Sequence, residues 1–276
     1  MINLFGKGYI GSRFAELYQC KINDKNDLIP KLTDCTDLLY LISTVDNYNV
    51  KTNPYIDIET NLTTLIRVLE NFRQNHKSSD VVFNFASSWF VYGDTELPAK
   101  ETSSCNPKGF YSITKRSAEQ LLISYCETFN LQYRILRFAN VLGSNDSKTG
   151  KKKNALTYLI NELKANNTIQ LYDDGNILRD YIHIDDLCRA IKLIMDNGRV
   201  NEIYNIGNNI PHNLNDIVKY IRQYGSTSSI EFIKTPEFHK IVQVKNMYMD
   251  SSKLFSLGYT PTYTINQILD ELYFSK

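Results

Sequence analysis

Short, largely apolar runs alternate with longer segments of helical spacing through the first two thirds of the chain. The clearest runs are Ile2 to Phe5, Asp37 to Ser43, Val81 to Phe85 and Tyr133 to Phe138. Continuous apolar runs of this length are typical of parallel strands whose two faces are both covered by helices. The pattern therefore predicts βα units and a parallel sheet, which is an α/β fold.

Two segments between these strands have the three-and-four spacing of amphipathic helices. Glu59 to Arg73 carries one apolar face made of Leu62, Leu65, Ile66 and Leu69. Tyr111 to Phe129 carries a stripe made of Leu121, Leu122 and Tyr125. A third helix, Ser12 to Tyr18, is expected directly after the first strand. These helices would cover the sheet.

The pattern changes after Gly143. A helix at Ala155 to Leu163 and strand-like spacing over Ile169 to His183 are followed by a helix at Asp185 to Met195 and a strand at Glu202 to Gly207. We expect a main domain made of residues 1–142 and 184–207, and a smaller mixed α/β lobe made of residues 143–183 and 208–276. The two would share the chain in interleaved segments.

Charge excludes a general binder of polyanions. Lys and Arg number 31 against 30 Asp and Glu, a formal net charge of +1. The one basic run, Lys148 with Lys151 to Lys153, lies among Ser, Asn, Asp and Gly residues and is typical of a solvated loop. We therefore expect no nucleic-acid partner.

Targeting and metal signals are also missing. The opening residues show no signal-peptide pattern, and no apolar run approaches the roughly 20 residues of a membrane span. The five cysteines are scattered, as in reduced cytoplasmic proteins, and no His or Cys spacing suits a metal. We expect a cytoplasmic protein with neither a membrane nor a metal partner.

A glycine-rich loop, Gly6-Lys7-Gly8-Tyr9-Ile10-Gly11, directly follows the first strand. Glycines at this turn let the backbone approach a pyrophosphate, and the helix that follows offers free N–H groups to the anion. The glycine pattern alone would indicate only a tight turn. Its position at the first βα turn is what predicts a dinucleotide site.

Two further motifs carry candidate chemistry. Tyr111 and Lys115 stand four residues apart, so a helix would place the ammonium group beside the phenol and lower the pKa of Tyr111. About one such pair is expected by chance in a chain this rich in both residues, so context must support it. Ser88 follows a buried strand, at the sheet edge where ligands of open α/β sheets bind.

Together these motifs resemble the extended short-chain dehydrogenase/reductases, specifically the NAD-dependent epimerase/dehydratase family that modifies nucleotide sugars. The resemblance covers nearly the whole chain. It includes the segments Pro107 to Tyr111, Leu136 to Gly143, Leu178 to Leu187, Tyr204 to Gly207 and Leu257 to Pro261. It implies a Rossmann-type doubly wound sheet and a nucleotide-sugar-binding lobe.

The resemblance also implies roles. Tyr111 would exchange a proton with a sugar hydroxyl, Ser88 would bond the same oxygen, and Lys115 would bind the nicotinamide ribose. The implied cofactor residues are Gly6, Gly8, Tyr9, Ile10, Gly11, Asp24, Ser43, Asn61, Ala86, Tyr111 and Lys115. The implied substrate residues are Ser88, Trp89, Asn140 and Arg179. A salt bridge with Asp180 or Asp185 is the structural alternative for Arg179.

Several departures from the family pattern affect the cofactor. Phe5 stands where the family has its first loop glycine. The second strand, expected within Cys20 to Leu28, is short, so either Asp24 or Asp27 could read the adenosine ribose. An acid there favours NAD, whereas Lys25 would tolerate NADP. We predict NAD, with NADP as the alternative.

The residues after Ser88 exclude some of the reactions found in the family. Family dehydratases carry Asp-Glu there and the familiar 3,5-epimerase-reductases a Cys, whereas this chain has Trp89-Phe90. The reaction left by this comparison is redox chemistry at C4 of a nucleotide-activated hexose or deoxyhexose. The product sugar would be used in a surface polysaccharide. A 4-epimerase is favoured, with a 4-keto-6-deoxysugar 4-reductase or a 4-dehydrogenase as alternatives. A non-catalytic dinucleotide-binding protein is the remote alternative. The family also implies a homodimer through the two amphipathic helices.

Overall fold

Strands and helices alternate in chain order as the hydrophobic pattern predicts. The computed structural model of the protein describes residues 1–23, 37–75, 81–144, 146 and 155–275. Its strands are β1 (Ile2–Phe5), β2 (Cys20–Asn23), β3 (Asp37–Tyr40), β4 (Val82–Ser88), β5 (Gln132–Phe138), β6 (Asn140–Leu142), β7 (Ile169–Tyr172), β8 (Leu178–Arg179), β9 (Tyr181–His183), β10 (Glu202–Ile206), β11 (His212–Asn213) and β12 (Ile230–Ile233). Its helices are α1 (Tyr9–Leu17), α2 (Asn49–Thr52), α3 (Tyr55–Ile58), α4 (Thr64–Asn75), α5 (Phe110–Phe129), α6 (Ala155–Lys164), α7 (Ile184–Asn197), α8 (Leu214–Arg222), α9 (Glu237–Val242), α10 (Ser252–Phe255) and α11 (Ile265–Phe274).

Six of these strands form one parallel sheet in the order β2-β1-β3-β4-β5-β10. Because the order reverses at β1, the crevice where open α/β sheets bind ligands lies at the carboxyl ends of β1 and β3. The predicted α/β class with a parallel sheet is confirmed.

Helices cover both faces of this sheet. Leu38 and Tyr40 of β3 point to one side and pack in a core with Leu65 of α4 and Leu122 of α5. Leu39 points to the other side, into a core with residues of α1 and α7. Successive side chains of a strand alternate between faces, so a run that is apolar throughout needs both layers. The sheet is therefore doubly wound, as predicted.

A third apolar core forms a smaller mixed α/β lobe, also as predicted. It joins residues of α6, α8 and α11 to Ile169 and Leu171 of β7, and β7 pairs in parallel with β12. The residue boundaries between the main domain and this lobe stay a prediction. In the described ranges, no helix has both the length and the apolar character needed to cross a membrane.

Four local predictions were wrong. Leu121 is 41% exposed, and the buried stripe of α5 runs instead through Ala118, Leu122 and Cys126, spaced four apart. The first helix begins at Tyr9, within the glycine motif, and β3 ends at Tyr40. The predicted helix at Glu59 is reached through α3 and a π-helical turn, Glu59–Thr63. Side-chain periodicity does not mark these boundaries, because backbone turns and tertiary contacts set them.

Candidate active site

The glycine loop folds tightly between β1 and α1. Gly6 has a φ of +102°, and a Cβ built there would lie 2.9 Å from the backbone nitrogen of Ile42. A Cβ on Gly11 would overlap the carbonyl oxygen of Gly6. Gly8 begins α1 with no side-chain cap, so Tyr9 and Ile10 form the uncapped first turn. The result is a cradle at a helix N-terminus, which suits a pyrophosphate.

Asn61 fixes the loop that follows β3. Its Oδ1 accepts hydrogen bonds from Ser43 Oγ at 3.1 Å and from the Thr44 nitrogen at 3.0 Å. Its Nδ2 donates to Thr44 Oγ1 at 2.8 Å and to Thr114 Oγ1 of α5 at 3.0 Å. Asn61 lies in the π-helical turn, a feature frequent at functional sites. Its buried amide therefore ties the crevice loop to the helix that carries Tyr111.

Tyr111 and Ser88 meet at the carboxyl edge of the sheet. Ser88 ends β4, and Tyr111 lies in the first turn of α5. The side chains of Ser88 and Ser43 lie close enough to the Tyr111 hydroxyl to lower its pKa, against the larger effect of burial. The structure thus brings together two residues predicted to be catalytic, and it adds Ser43, which the sequence indicated only as a cofactor residue.

Lys115 lies one turn further along α5 and is buried. Its Nζ donates to the Ala86 carbonyl oxygen at 2.6 Å and lies 4.3 Å from the centre of the Phe85 ring. The end of β4 therefore fixes the ammonium group of Lys115 through the Ala86 carbonyl and the Phe85 ring. Ala86, predicted to line the cofactor site, supplies the acceptor.

The pKa of the phenol differs from the sequence expectation. Burial raises the pKa of Tyr111 to about 12, while the side chains of Ser88 and Ser43 lower it. Burial also lowers the pKa of Lys115 to about 7, against the opposing charge of Glu119. The prediction that the lysine lowers the tyrosine pKa was wrong, because burial raises the pKa of Tyr111 and the groups that lower it are Ser88 and Ser43, not Lys115.

A buried ion pair supports this part of α5. Glu119, one turn beyond Lys115, is fully buried and accepts from Arg137 of β5 at 2.7 and 2.9 Å. Its carboxylate also accepts from Ser87 Oγ at 2.6 Å and from Arg116 at 2.8 Å. Neighbouring serines of β4 thus face opposite ways, Ser87 toward this pair and Ser88 toward Tyr111.

The predicted substrate residues gather around Trp89. The Arg179 guanidinium lies 5.3 Å from the centre of the Trp89 ring, and it donates to the carbonyl oxygens of Leu178, Val244 and Lys245. Asn140 Nδ2 donates to the Asp180 carbonyl oxygen at 3.0 Å. Trp89, Asn140 and Asp180 line a narrow crevice that has no room for a water molecule.

The structural alternative for Arg179 is contradicted. Asp185 forms an ion pair with Arg13 at 2.6 Å, and the Asp180 carboxylate accepts from the Asn208 backbone nitrogen at 3.1 Å. In the part of the chain that the structure describes, Arg179 forms no ion pair. Burial lowers its pKa to about 10, so the guanidinium stays charged at neutral pH.

One ring contact in the candidate site was not predicted from the sequence. Phe90 lies edge-on to Tyr111, with ring centres 5.7 Å apart and planes at 84°. No periodicity signals this pair, because 21 positions separate the two residues and only the meeting of β4 with α5 brings them together. Asp24, Asp27 and the basic run lie outside the described residues. Among the described residues, no group of three His, Cys, Asp or Glu side chains could hold a metal ion.

Comparison with known proteins places the chain. Residues 5–207 match the model of the NAD dependent epimerase/dehydratase family. A putative UDP-glucose 4-epimerase of Methanocaldococcus jannaschii is 28% identical over 251 residues, 90% of this chain and 79% of that protein.

Solved structures agree on the fold. A UDP-glucuronic acid 4-epimerase from Bacillus cereus, in complex with UDP-glucuronic acid and NAD, has a TM-score of 0.85 at 21% identity, over 99% of this chain and 97% of that one. A dTDP-glucose 4,6-dehydratase from Streptomyces venezuelae, with NAD bound, has a TM-score of 0.83 at 22% identity, over 99% and 96%. The similarity to an epimerase and to a dehydratase is equally strong, so it does not separate the two reactions. The family-model match over most of the sequence shows that this chain belongs to the NAD-dependent epimerase/dehydratase family.

Proposed function

We propose that the protein is an NAD(P)-dependent enzyme acting at C4 of a nucleotide-activated hexose or deoxyhexose, a nucleotide-sugar 4-epimerase in the first instance. The observation that carries this proposal is that Tyr111, one turn before Lys115 on α5, lies at Ser88 and Ser43, at the same carboxyl edge of the sheet as the glycine cradle. The M. jannaschii relative, which carries the name of a 4-epimerase, supports it.

The cradle supports a bound dinucleotide. The uncapped N-terminus of α1 suits the pyrophosphate, since the glycines at positions 6 and 11 leave no room for side chains. Ser43, Asn61 and Ala86 border the same crevice and would hold the nicotinamide end together with Lys115. Bound NAD(P) would supply a two-electron hydride acceptor and donor. Because the ribose-reading position lies outside the described residues, the choice of NAD over NADP rests on the sequence.

The residues of this chain would handle the proton. Tyr111 Oη would accept the proton of the sugar hydroxyl and return it when the carbon is reduced. Burial raises the pKa of Tyr111 to about 12, and the side chains of Ser88 and Ser43 lower it part of the way back, toward the phenolate. Ser88 would also bind the reacting oxygen. Lys115 stays on the sheet side, where the Ala86 carbonyl orients its ammonium group.

The substrate would enter from the smaller lobe, for which we retain the boundaries drawn from the sequence. Arg179 stays charged at neutral pH and is fixed against Trp89, which suits it to a diphosphate oxygen. Asn140 lines the narrow crevice beside Trp89. The absence of an acid at positions 89 and 90 argues against a dehydratase, which needs one to eliminate water.

Exposed apolar residues support the proposed homodimer. Ile113 and Leu121 of α5 are 48% and 41% exposed, and Ile58 beside α4 is 37% exposed. A second copy packed through the same two helices would bury them.

Tyr111→Phe tests the proposal. Protein purified without added cofactor is denatured and the released dinucleotide is identified by mass spectrometry. The variant is then compared with wild type on UDP- and dTDP-hexoses, and Tyr55→Phe, at a 72% exposed site, is the matched control. We expect Tyr111→Phe to lose at least about 100-fold in kcat while keeping its dinucleotide. Undiminished turnover would refute the catalytic assignment.

The released cofactor separates the candidate reactions. Stoichiometric NAD favours a 4-epimerase or a 4-dehydrogenase with retained cofactor. An empty protein that binds NADPH favours a 4-keto reductase.

A further inference from the structure

Two aromatic side chains, Trp89 and Phe90, stand directly after Ser88, and we refer to the pair as the aromatic wall. They occupy a 3-10 turn, Trp89–Val91, and their rings stack with centres 3.8 Å apart and planes at 23°. The Phe90 nitrogen lies 3.4 Å from Ser88 Oγ. The turn therefore fixes the wall to the same strand end that positions Ser88.

The wall borders the phenol on one side only. Phe90 meets the Tyr111 ring edge-on at 5.7 Å, whereas Ser88 and Ser43 lie near the Tyr111 hydroxyl and lower its pKa. Among the described residues, Asp57 is the charged group whose field reaches the phenol, and it raises the pKa. A sugar whose hydroxyl reaches Tyr111 thus finds hydroxyl partners at the oxygen and an apolar surface next to it.

Packing makes this surface rigid. Trp89 is 5% exposed and packs in the same apolar core as Met247 and Met249. The Arg179 guanidinium lies over its ring, and the carbonyl bonds of Arg179 anchor that contact. Because Trp89 cannot rotate away, Phe90 stacked on it keeps its position beside Tyr111.

We propose that Phe90 is a specificity-determining residue that makes the enzyme select 6-deoxyhexoses over hexoses and hexuronic acids. The inference rests on the proposed function, in which the reacting carbon is C4. Of the two neighbours of C4, C3 carries a hydroxyl in ordinary hexoses, and C5 carries the exocyclic C6. C5 is therefore the neighbour able to present an apolar group to Phe90.

The selection follows from desolvation. A C6 methyl loses only water contacts against the ring, whereas a C6 hydroxyl loses hydrogen bonds, and a carboxylate would lose its hydration without gaining a cation. Arg179 does not compensate the carboxylate, because in the proposed function its remaining N–H groups bind the diphosphate. Apolar pockets discriminate against one added hydroxyl only moderately, so we expect about a tenfold preference over the hexose and about a hundredfold preference over the uronic acid.

The test is calorimetric binding with a matched ligand series. The cofactor-loaded protein is titrated with UDP-6-deoxyglucose, UDP-glucose and UDP-glucuronic acid, and with the corresponding dTDP series. Within each series the ligands differ only at C6. Phe90→Gln gives the wall a polar group, and Phe90→Leu, the matched control, keeps it apolar. Retained dinucleotide and an unchanged unfolding midpoint confirm that each variant is folded.

We expect wild type and Phe90→Leu to prefer the 6-deoxy ligand, and Phe90→Gln to lose about tenfold of the preference over UDP-glucose. Equal affinity of wild type for the three ligands would overturn the inference while leaving the proposed function intact. A preference that survives in Phe90→Gln would overturn the role of Phe90. If neither series binds, the protein does not take UDP- or dTDP-hexoses, and the proposed function fails for these two nucleotides together with the inference.

Discussion

Replacing Lys115 with methionine isolates the energetic cost of burying an ammonium group one turn from the candidate catalytic tyrosine. Burial lowers the pKa of Lys115 from 10.5 to about 7 in the folded protein. The unfolded chain keeps the ordinary value, so between these two pH values the unfolded state binds more protons. The free energy of unfolding therefore rises with pH across this window.

The magnitude follows from the two pKa values. Each pKa unit corresponds to about 1.4 kcal/mol, and Lys115 is half protonated at the start of the window. Its contribution to the free energy of unfolding should thus increase by about 2 kcal/mol between pH 7 and pH 9. Below the folded pKa both states hold the proton, the full penalty is present, and the slope disappears.

The assay is urea denaturation of dinucleotide-free protein across this pH range. Lys115→Met lacks the titrating group, so the difference in unfolding free energy between wild type and variant reports Lys115 alone. The lost bond to the Ala86 carbonyl adds a pH-independent offset. Lys219→Met is the matched control, because its side chain is 77% exposed and should contribute about 0.5 kcal/mol or less. A wild-type-minus-variant difference that stays constant from pH 7 to pH 9 would refute the reasoning.

Three further predictions follow from other contacts. Gly11→Ala should lower the free energy of unfolding by about 2 kcal/mol, because the added methyl overlaps the Gly6 carbonyl oxygen. Gly8→Ala is the control and should leave the stability unchanged, because a Cβ there contacts no other atom. Equal urea midpoints of the two variants would contradict this prediction. Glu119→Gln should cost about 3–5 kcal/mol by leaving Arg137 buried without its partner, and adding Arg137→Met should recover most of that loss in the same assay. Leu121→Asp should convert the proposed dimer into monomers, measured by light scattering, and a wild type already at monomer mass would count against the dimer.

Local sequence signals predicted the parallel sheet well. The strand Ile2–Phe5 has the predicted bounds, because a continuous apolar run between polar turns leaves few alternatives to a buried strand. The turn after this strand was also predictable, because glycine is the residue that readily adopts a φ such as the +102° found at Gly6. The four-residue spacing of Tyr111 and Lys115 predicted that one helix carries both, and α5 does so.

Contacts between segments that are distant along the chain could not be predicted from the sequence. Periodicity put both Leu121 and Leu122 on the buried stripe of α5, but the packing of α5 against the sheet buries only Leu122 of the two. Periodicity gave no sign that Ser43 would reach Tyr111 or that Arg179 would lie over Trp89. The sign of the Tyr111 pKa shift also depended on burial, which the whole fold sets.

The sequence by itself determined which elements form and which residue types line the carboxyl edge of the sheet, because hydrophobic period and glycine conformation are local properties. Only the tertiary structure decided which of those side chains meet. Desolvation, edge-to-face ring contacts and buried hydrogen bonds depend on distances between strand ends, and those distances exist only once the layers have packed.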